Sequence, residues 1–464
     1  MRNPLRSFGL RFTVGHLTVA AVLVPPSVIL LIDTPHRRWG IGLLVAAVLL
    51  TIISVRGRRI TEWIAALFAW IWRHRTPLAG PSEPVVGATH MPGDHVAVRW
   101  EGDVLVALIE LIPRPFTPTV IVGGRVHSDD VIDTRLVEQL LAVHCPDLEA
   151  DIVSAGHRIG RTASDDAMSQ YGTVIASDPA PAQRRTWVVL RADPGRTQRS
   201  SLRRDRGVPG MVRYLVASTT RIADGLASHG VDAVCSRSFD DYDRGVEISF
   251  VRERWGRIKG HNSFTSAYSA SGGPDVWWAA PAAHTVTRIR VAPGSAPRSC
   301  LLLTTEGKTE KPRGFSRLSG SQRAALQGRL LVGDRHCQLP IGSAGVFIGQ
   351  TANKYPVYMP FDDVDASLTL GDARTFTQFA ARAAAAGGIV TLAPQFRELA
   401  ALIGAEVGPQ PKVVWPHATT YLEPHPGVER VTLRRNMIGT PRHRQLPVRT
   451  LSTKTEIGYE SALP

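Results

Sequence analysis

Two short acidic runs, Asp240-Asp241-Tyr242-Asp243 and Asp362-Asp363-Val364-Asp365, hold the residue types best suited to chemistry in this chain. Each contains a D-x-D pair. Carboxylate oxygens at that spacing can hold a hard divalent cation against a nucleotide-sugar diphosphate. Asp362, Asp363 and Asp365 are therefore the candidate acidic site of a sugar-nucleotide enzyme. The competing reading is structural. Aspartate favours the start of a helix, both as a cap and through the helix dipole, and both runs are expected there. Ser128-Asp129-Asp130 fits the same cap pattern ahead of a helix running to about His144.

Little other chemistry is visible. Cys145, Cys235, Cys300 and Cys337 form no C-x-x-C pair, which argues against a zinc ribbon and for free, buried thiols. His144-Cys145 and His336-Cys337 are chain neighbours whose side chains should point apart. Gly342-Ser343-Ala344-Gly345 is the nearest approach to a phosphate loop. It lacks the Lys-Ser/Thr pair that grips phosphate and magnesium, and reads as a tight turn between two strands. The sequence contains no G-x-S-x-G elbow and no H-E-x-x-H. No catalytic residue, cofactor, metal or small-molecule substrate is expected, and the chain is not expected to be an enzyme.

The elements that must position these residues begin near residue 85. Alternation over 95–100, the turn Glu101-Gly102-Asp103 and the run 104–111 predict a hairpin. Further strands are expected at 119–122, 151–159, 186–192, 231–236, 276–280, 284–291 and 298–304. A long amphipathic helix is expected over 208–229, with Pro209 in its first turn and Gly230 at its end. After a Gly/Lys/Arg-rich stretch at 305–322 come a helix at 372–386, a strand at 388–393, a helix at 395–404 and a strand at 412–415. Strands alternating with helices indicate a mixed α/β body over 85–437. Its length suits one or two lobes, with a break near 260–275 or 305–322.

Ahead of this body the sequence predicts a membrane anchor over 1–59. No charged residue occurs from Phe12 to Ile32, and a second uncharged run covers 39–55. The first run is long enough to cross a bilayer, and Trp39 and Arg56 extend the reach of the second. A cleaved signal peptide is the competing reading, opposed by Pro25-Pro26, the missing A-x-A-like site and the second run. The turn at 33–38 holds only Arg37 and Arg38. Arg2, Arg6 and Arg11 precede the first span, and Arg56, Arg58, Arg59, Arg73 and Arg75 follow the second as interface residues. That bias places both termini and the large domain in the cytoplasm. Ile60, Ile64, Leu67, Phe68 and Ile71, flanked by Trp63, Trp70 and Trp72, predict a juxtamembrane amphipathic helix over 60–75. Residues 76–84 read as a linker.

The net charge is +14. Alone it would point to nucleic acid, but its placement argues otherwise. Residues 1–75 contribute +8 and residues 430–464 contribute +5, so the main body is nearly neutral. The basic charge lies where anionic lipid headgroups would be, and no nucleic acid is expected as partner. Residues 438–464, with Arg442, His443, Arg444 and Arg449, read as a basic tail, solvated or held by a partner.

The chain resembles EccE, the E component of the membrane core of mycobacterial type VII (ESX) secretion systems. The resemblance rests on Met1-Arg2-Asn3-Pro4, Gly9-Leu10-Arg11-Phe12 and Gly57-Arg58-Arg59-Ile60-Thr61, and in the body on 83–89, 92–100, 109–122, 145–156, 335–345, 356–365 and 438–447. It is nearest to the paralogue of the first-described ESX system. It implies a structural subunit of an inner-membrane complex, beside EccB, the FtsK-like ATPase EccC and the multi-span EccD. That complex exports small helical WXG-type protein pairs. The cytosolic domain would be glycosyltransferase-like without a working active site. The alternative function is a membrane-anchored, D-x-D-dependent sugar-nucleotide enzyme.

Overall fold

The computed structural model describes residues 96–463 apart from 161, 271–272, 308–311, 313, 334, 444 and 451–453, together with a few short stretches before residue 72. The spans 12–32 and 39–55 fall largely outside the described residues, as do the linker and Arg56, Arg73 and Arg75. No helix among the described residues is long and apolar enough to cross a membrane. Phe8–Gly9 pairs antiparallel with Ser54–Val55, which pairs in turn with Arg58–Arg59. Leu67, Phe68, Trp70 and Ile71 are helical.

The body is a mixed α/β structure built on one large sheet and one smaller mixed sheet. Val98–Glu101 and Val104–Leu111 form the expected hairpin. Gly102 closes its turn at φ +66°, a backbone region in which glycine is unstrained. The hairpin joins a 12-stranded sheet. Its main path runs Ala233–Cys235, Val104–Leu111, Gln183–Ala192, Glu149–His157, His284–Ala292, Ser295–Thr305, Phe264–Ala270, Arg257–Lys259, Arg252–Arg254. Every neighbouring pair along that path is antiparallel.

Side chains alternate across this sheet, as a pleated backbone requires. Leu105, Ala107, Ile109, Ile152, Val188 and Leu190 bury one face against helices Thr134–His144 and Gly207–Ser228. Val106, Leu108, Val153, Trp187 and Val189 bury the other against Phe239, Tyr242, Leu318 and Ala325. The second sheet is eight-stranded, with Ala366–Leu370 parallel to both its neighbours, Thr419–Tyr421 and Glu429–Arg434. Helix Ala373–Ala385 covers it with Phe379, Ala380, Ala383 and Ala384. Asp372 caps that helix, accepting from Thr375 N at 2.7 Å.

Several expectations are corrected here. The two stretches suggested for a lobe break contain Phe264–Ala270 and Phe315–Arg317, which are paired strands of the large sheet. The expected strand at 276–280 is a turn of helix, Pro274–Trp277, that buries Trp277 and Trp278. The described residues of 438–464 fold onto the body rather than forming a solvated tail. Met437–Gly439 and Leu446–Pro447 extend the second sheet, and Lys454–Tyr459 is a helix. From that helix Glu456 reaches buried Arg382 with both carboxylate oxygens, at 2.7 and 3.0 Å. An apolar stripe of Ile438, Val448 and Tyr459 anchors the segment despite its arginines.

Candidate functional site

Both acidic runs reach one space. A cavity of about 410 Å³ lies where the large sheet meets the loops of the second, lined by His157, Arg184, Arg185, Asp241, Asp362 and His417 among others. Asp241 comes from helix Asp240–Val246. Asp362 comes from the turn between strands Pro356–Met359 and Ala366–Leu370.

Arg184 and Arg185 open strand Gln183–Ala192, and successive side chains on a strand leave opposite faces. Arg184 is buried, donating through Nε to the Gly342 carbonyl at 2.9 Å and lying 5.4 Å from the Trp278 ring. Burial draws its pKa down to about 9, against the opposing pull of Asp130 and Asp362. Arg185 donates to Glu110 at 2.6 Å and lies 3.6 Å from Asp363. Ser343, in the loop first compared with a phosphate loop, is gripped by protein. It accepts from Arg184 N at 2.8 Å and donates to Asp362 Oδ2 at 2.6 Å.

Asp362 and Asp363 are adjacent carboxyls in a low-dielectric setting, where two like charges cannot both form cheaply. Burial pushes the Asp362 carboxyl up, although Ser343 and the two arginines oppose it. Burial and the neighbouring Asp362 push Asp363 up to about 8. Asp362 Oδ1 is buried and has no hydrogen-bond partner among the described residues. Asp365 does not join them, its Oδ1 accepting from Thr419 N at 2.7 Å. The His417 imidazole is drawn down by burial and then by Arg185.

The expected placement at a helix start therefore holds for one run, where no aspartate makes a capping hydrogen bond, and fails for two. Asp240, Asp241 and Asp243 do occupy the first turn of a helix, where the dipole favours them. Asp241 pairs with Arg244 at 2.5 Å and Asp243 with Arg99 at 2.6 Å. Asp362, Asp363 and Asp365 sit in an inter-strand turn. Ser128, Asp129 and Asp130 precede a strand, Val131–Asp133, and it is Asp133 that caps the next helix. Asp130 is buried instead, accepting from Arg114 N at 2.9 Å. Among the described residues no group of three or more His, Cys, Asp or Glu is arranged to hold a metal ion. Of the interface arginines, Arg58 and Arg59 form a two-residue strand.

The sequence reading missed Arg184, Arg185, Ser343 and His417. A usable signal existed for the arginines: two consecutive charges stand just ahead of the apolar run Trp187–Leu190 in one strand. It also missed a buried ionic cluster on the large sheet. Asp151, fully buried, accepts from Arg290 and Arg288 and lies 3.6 Å from Arg191. Cys145 and Cys300 are free, buried thiols, with burial pushing each up to about 12; Cys235 and Cys337 are half-buried.

A family model described as "Putative type VII ESX secretion system translocon, EccE" matches residues 180–270. The ESX-1 secretion system protein EccE1 of Mycobacterium tuberculosis is 64% identical over 464 residues, covering 100% of each chain. The protein of that name in Mycolicibacterium smegmatis is 59% identical over 461 residues, 99% of each chain. The ESX-5 secretion system protein EccE5 of Mycobacterium marinum is 25% identical over 379 residues, 73% of this chain and 92% of the relative.

Proposed function

The chain belongs to the EccE family, and on that premise we propose that it is a non-catalytic structural subunit of the inner-membrane complex of a type VII (ESX) secretion system. Its relatives are named as ESX-1 secretion system proteins, so it is a component of such a system. EccB-, EccC- and EccD-like subunits are its proposed neighbours, and small helical WXG-type pairs the exported cargo. The two spans would hold it in the membrane with both termini and the body in the cytoplasm. The glycosyltransferase-like architecture remains part of the proposal. What supports it is one unit, strand Ala366–Leu370, helix Ala373–Ala385 and strand Ile389–Leu392, with both strands running the same way.

One observation carries the non-catalytic reading. Each of the three candidate carboxylates already meets a separate protein partner: Asp362 Oδ2 accepts from Ser343, Asp363 lies 3.6 Å from Arg185 and Asp365 accepts from Thr419 N. A D-x-D site needs them free and convergent on a cation. The large sheet is also antiparallel, so it has no parallel switch point of the kind at which nucleotides bind. The enzyme reading keeps one supporting observation, the shared cavity with Asp241 and Asp362 on its wall.

The test is purification of the tagged full chain in gentle detergent, with mass spectrometry of what accompanies it. Co-purification of EccB-, EccC- and EccD-like chains is the expected result. A chain that elutes alone from cells with an intact secretion system would overturn the proposal.

A further inference from the structure

The hairpin Arg252–Arg254 and Arg257–Lys259 ends one edge of the large sheet. Its pairing sets Arg252 opposite Lys259 and Arg254 opposite Arg257. Period-two alternation puts these four cations on one face. Glu253 and Ile258 face the other way and are buried, with Glu253 accepting from Arg323 N at 3.0 Å. Like charges directly opposite each other destabilise a hairpin. Two stacked pairs of them are what an anionic surface would require.

Beneath this face lies a cavity of about 620 Å³, lined by Arg254, Trp255, Arg257, Phe264, Tyr268 and Arg317 among others, with no carboxylate among the described residues of its lining. Arg257 stacks over Phe264 at 4.3 Å and Arg317 over Tyr268 at 5.5 Å. Arg317 donates to the Tyr268 hydroxyl at 3.1 Å, while its Nε is buried without an acceptor among the described residues. An unmet buried donor is costly, and the oxygens of a phosphate match the fork geometry of a guanidinium.

A second contact gives the direction. Trp70 stands edge-on to Trp255, ring centroids 5.8 Å apart. Gly320 leaves room for Trp255, since a Cβ there would lie 2.6 Å from the indole. Near Trp70 in the sequence, Leu67, Phe68 and Ile71 are helical and exposed. Tryptophan with arginine and lysine is the composition of a membrane interface.

We propose that this cavity binds the phosphate headgroup of an anionic phospholipid, laying the 252–259 hairpin against the membrane surface. The choice of a lipid over free phosphate rests on the membrane-anchored reading above. The site lies apart from the Asp362 cavity and shares no lining residue with it.

The experiment is calorimetric titration of the full-length protein in neutral detergent. The probes are dihexanoyl phosphatidylglycerol, dihexanoyl phosphatidylcholine and inorganic phosphate. Saturable binding is expected for phosphatidylglycerol alone. Each arginine near a lipid surface is worth about 1 kcal/mol, roughly fivefold in affinity. Arg254→Gln should therefore weaken binding roughly fivefold, and Arg254→Gln with Arg257→Gln roughly thirtyfold, at unchanged Tm. The single variant, at an exposed position, serves if the double fails to fold. Inorganic phosphate binding as tightly as the lipid would overturn the lipid assignment. Lipid binding unmoved by the variants would overturn the site. Alkaline carbonate extraction separates the underlying readings. Protein retained in the membrane fraction but blind to the lipid loses this proposal alone. Protein released by carbonate that still binds the lipid keeps the site and loses the anchor.

Discussion

Arg290 holds Asp151 with two donors, Nε at 2.6 Å and Nη2 at 2.8 Å, between adjacent strands of the large sheet. Arg288 adds a third contact at 3.1 Å. The carboxylate is fully buried. Burial alone would raise its pKa, but Arg290 first, then Arg191 and Arg288, bring it down to about 2. The pair sits in the middle of the sheet, far in sequence from the acidic runs.

Breaking one side of such a pair leaves buried charge unanswered, typically a loss of about 3–5 kcal/mol. Asp151→Asn should lose stability on that scale at pH 7, read by guanidinium denaturation. The depressed pKa sets the sign with pH. This contribution is present above the ordinary carboxylate range and is lost as pH falls through about 2. A variant as stable as the parent at pH 7 would show that the arginines find other partners.

Asp363 behaves in the opposite way. Its folded pKa of about 8 stands above the ordinary value, so the folded state keeps a proton that the unfolded chain releases. Stability from this group is full in acid and drains away as pH rises through about 8. Asp363→Asn should therefore hold its Tm where the parent's declines, with the gap opening toward pH 8. Parallel Tm curves for the two proteins across pH 5–9 would contradict the assignment.

The C-terminal segment should be part of the fold energetically as well as geometrically. Arg382 and Glu456 are both buried, and Arg382 also donates to the Phe347 carbonyl at 3.2 Å. Glu456→Ala should cost about 3 kcal/mol or more, visible as a lowered Tm. An unchanged Tm would return residues 454–463 to the status of a tail.

Local features of this fold were legible in the sequence. The hairpin at Gly102, the helix ending at Gly230 and the helix capped by Asp372 each announce themselves within a few residues. The rest depends on distant partners. Alternating strands and helices do not say which strands become neighbours, so the antiparallel pairing of Glu149–His157 with His284–Ala292 was hidden. Asp362 owes its setting to Ser343 and Arg184, and Glu456 to a residue 74 positions away. A D-x-D pair looks the same in sequence whether it meets a cation, a helix or a serine.

The proposed topology gives an independent expectation. Positive residues lie mostly outside the 33–38 turn. In intact cells, a membrane-impermeant thiol reagent should label an engineered cysteine at Thr34 and spare those at Ser7 and Thr89. Labelling at Thr89 would reverse the orientation and the cytoplasmic placement of the body.

The most direct measurement is export of the small helical substrates by a strain lacking this gene and complemented with the Asp362→Asn, Asp363→Asn variant. A structural subunit whose carboxyls are held by Ser343 and Arg185 should restore export to the parent's level, with Tm unchanged or raised. Export lost at unchanged Tm and unchanged assembly, together with manganese binding by the parent that the variant lacks, would contradict the account and make the cavity an active site.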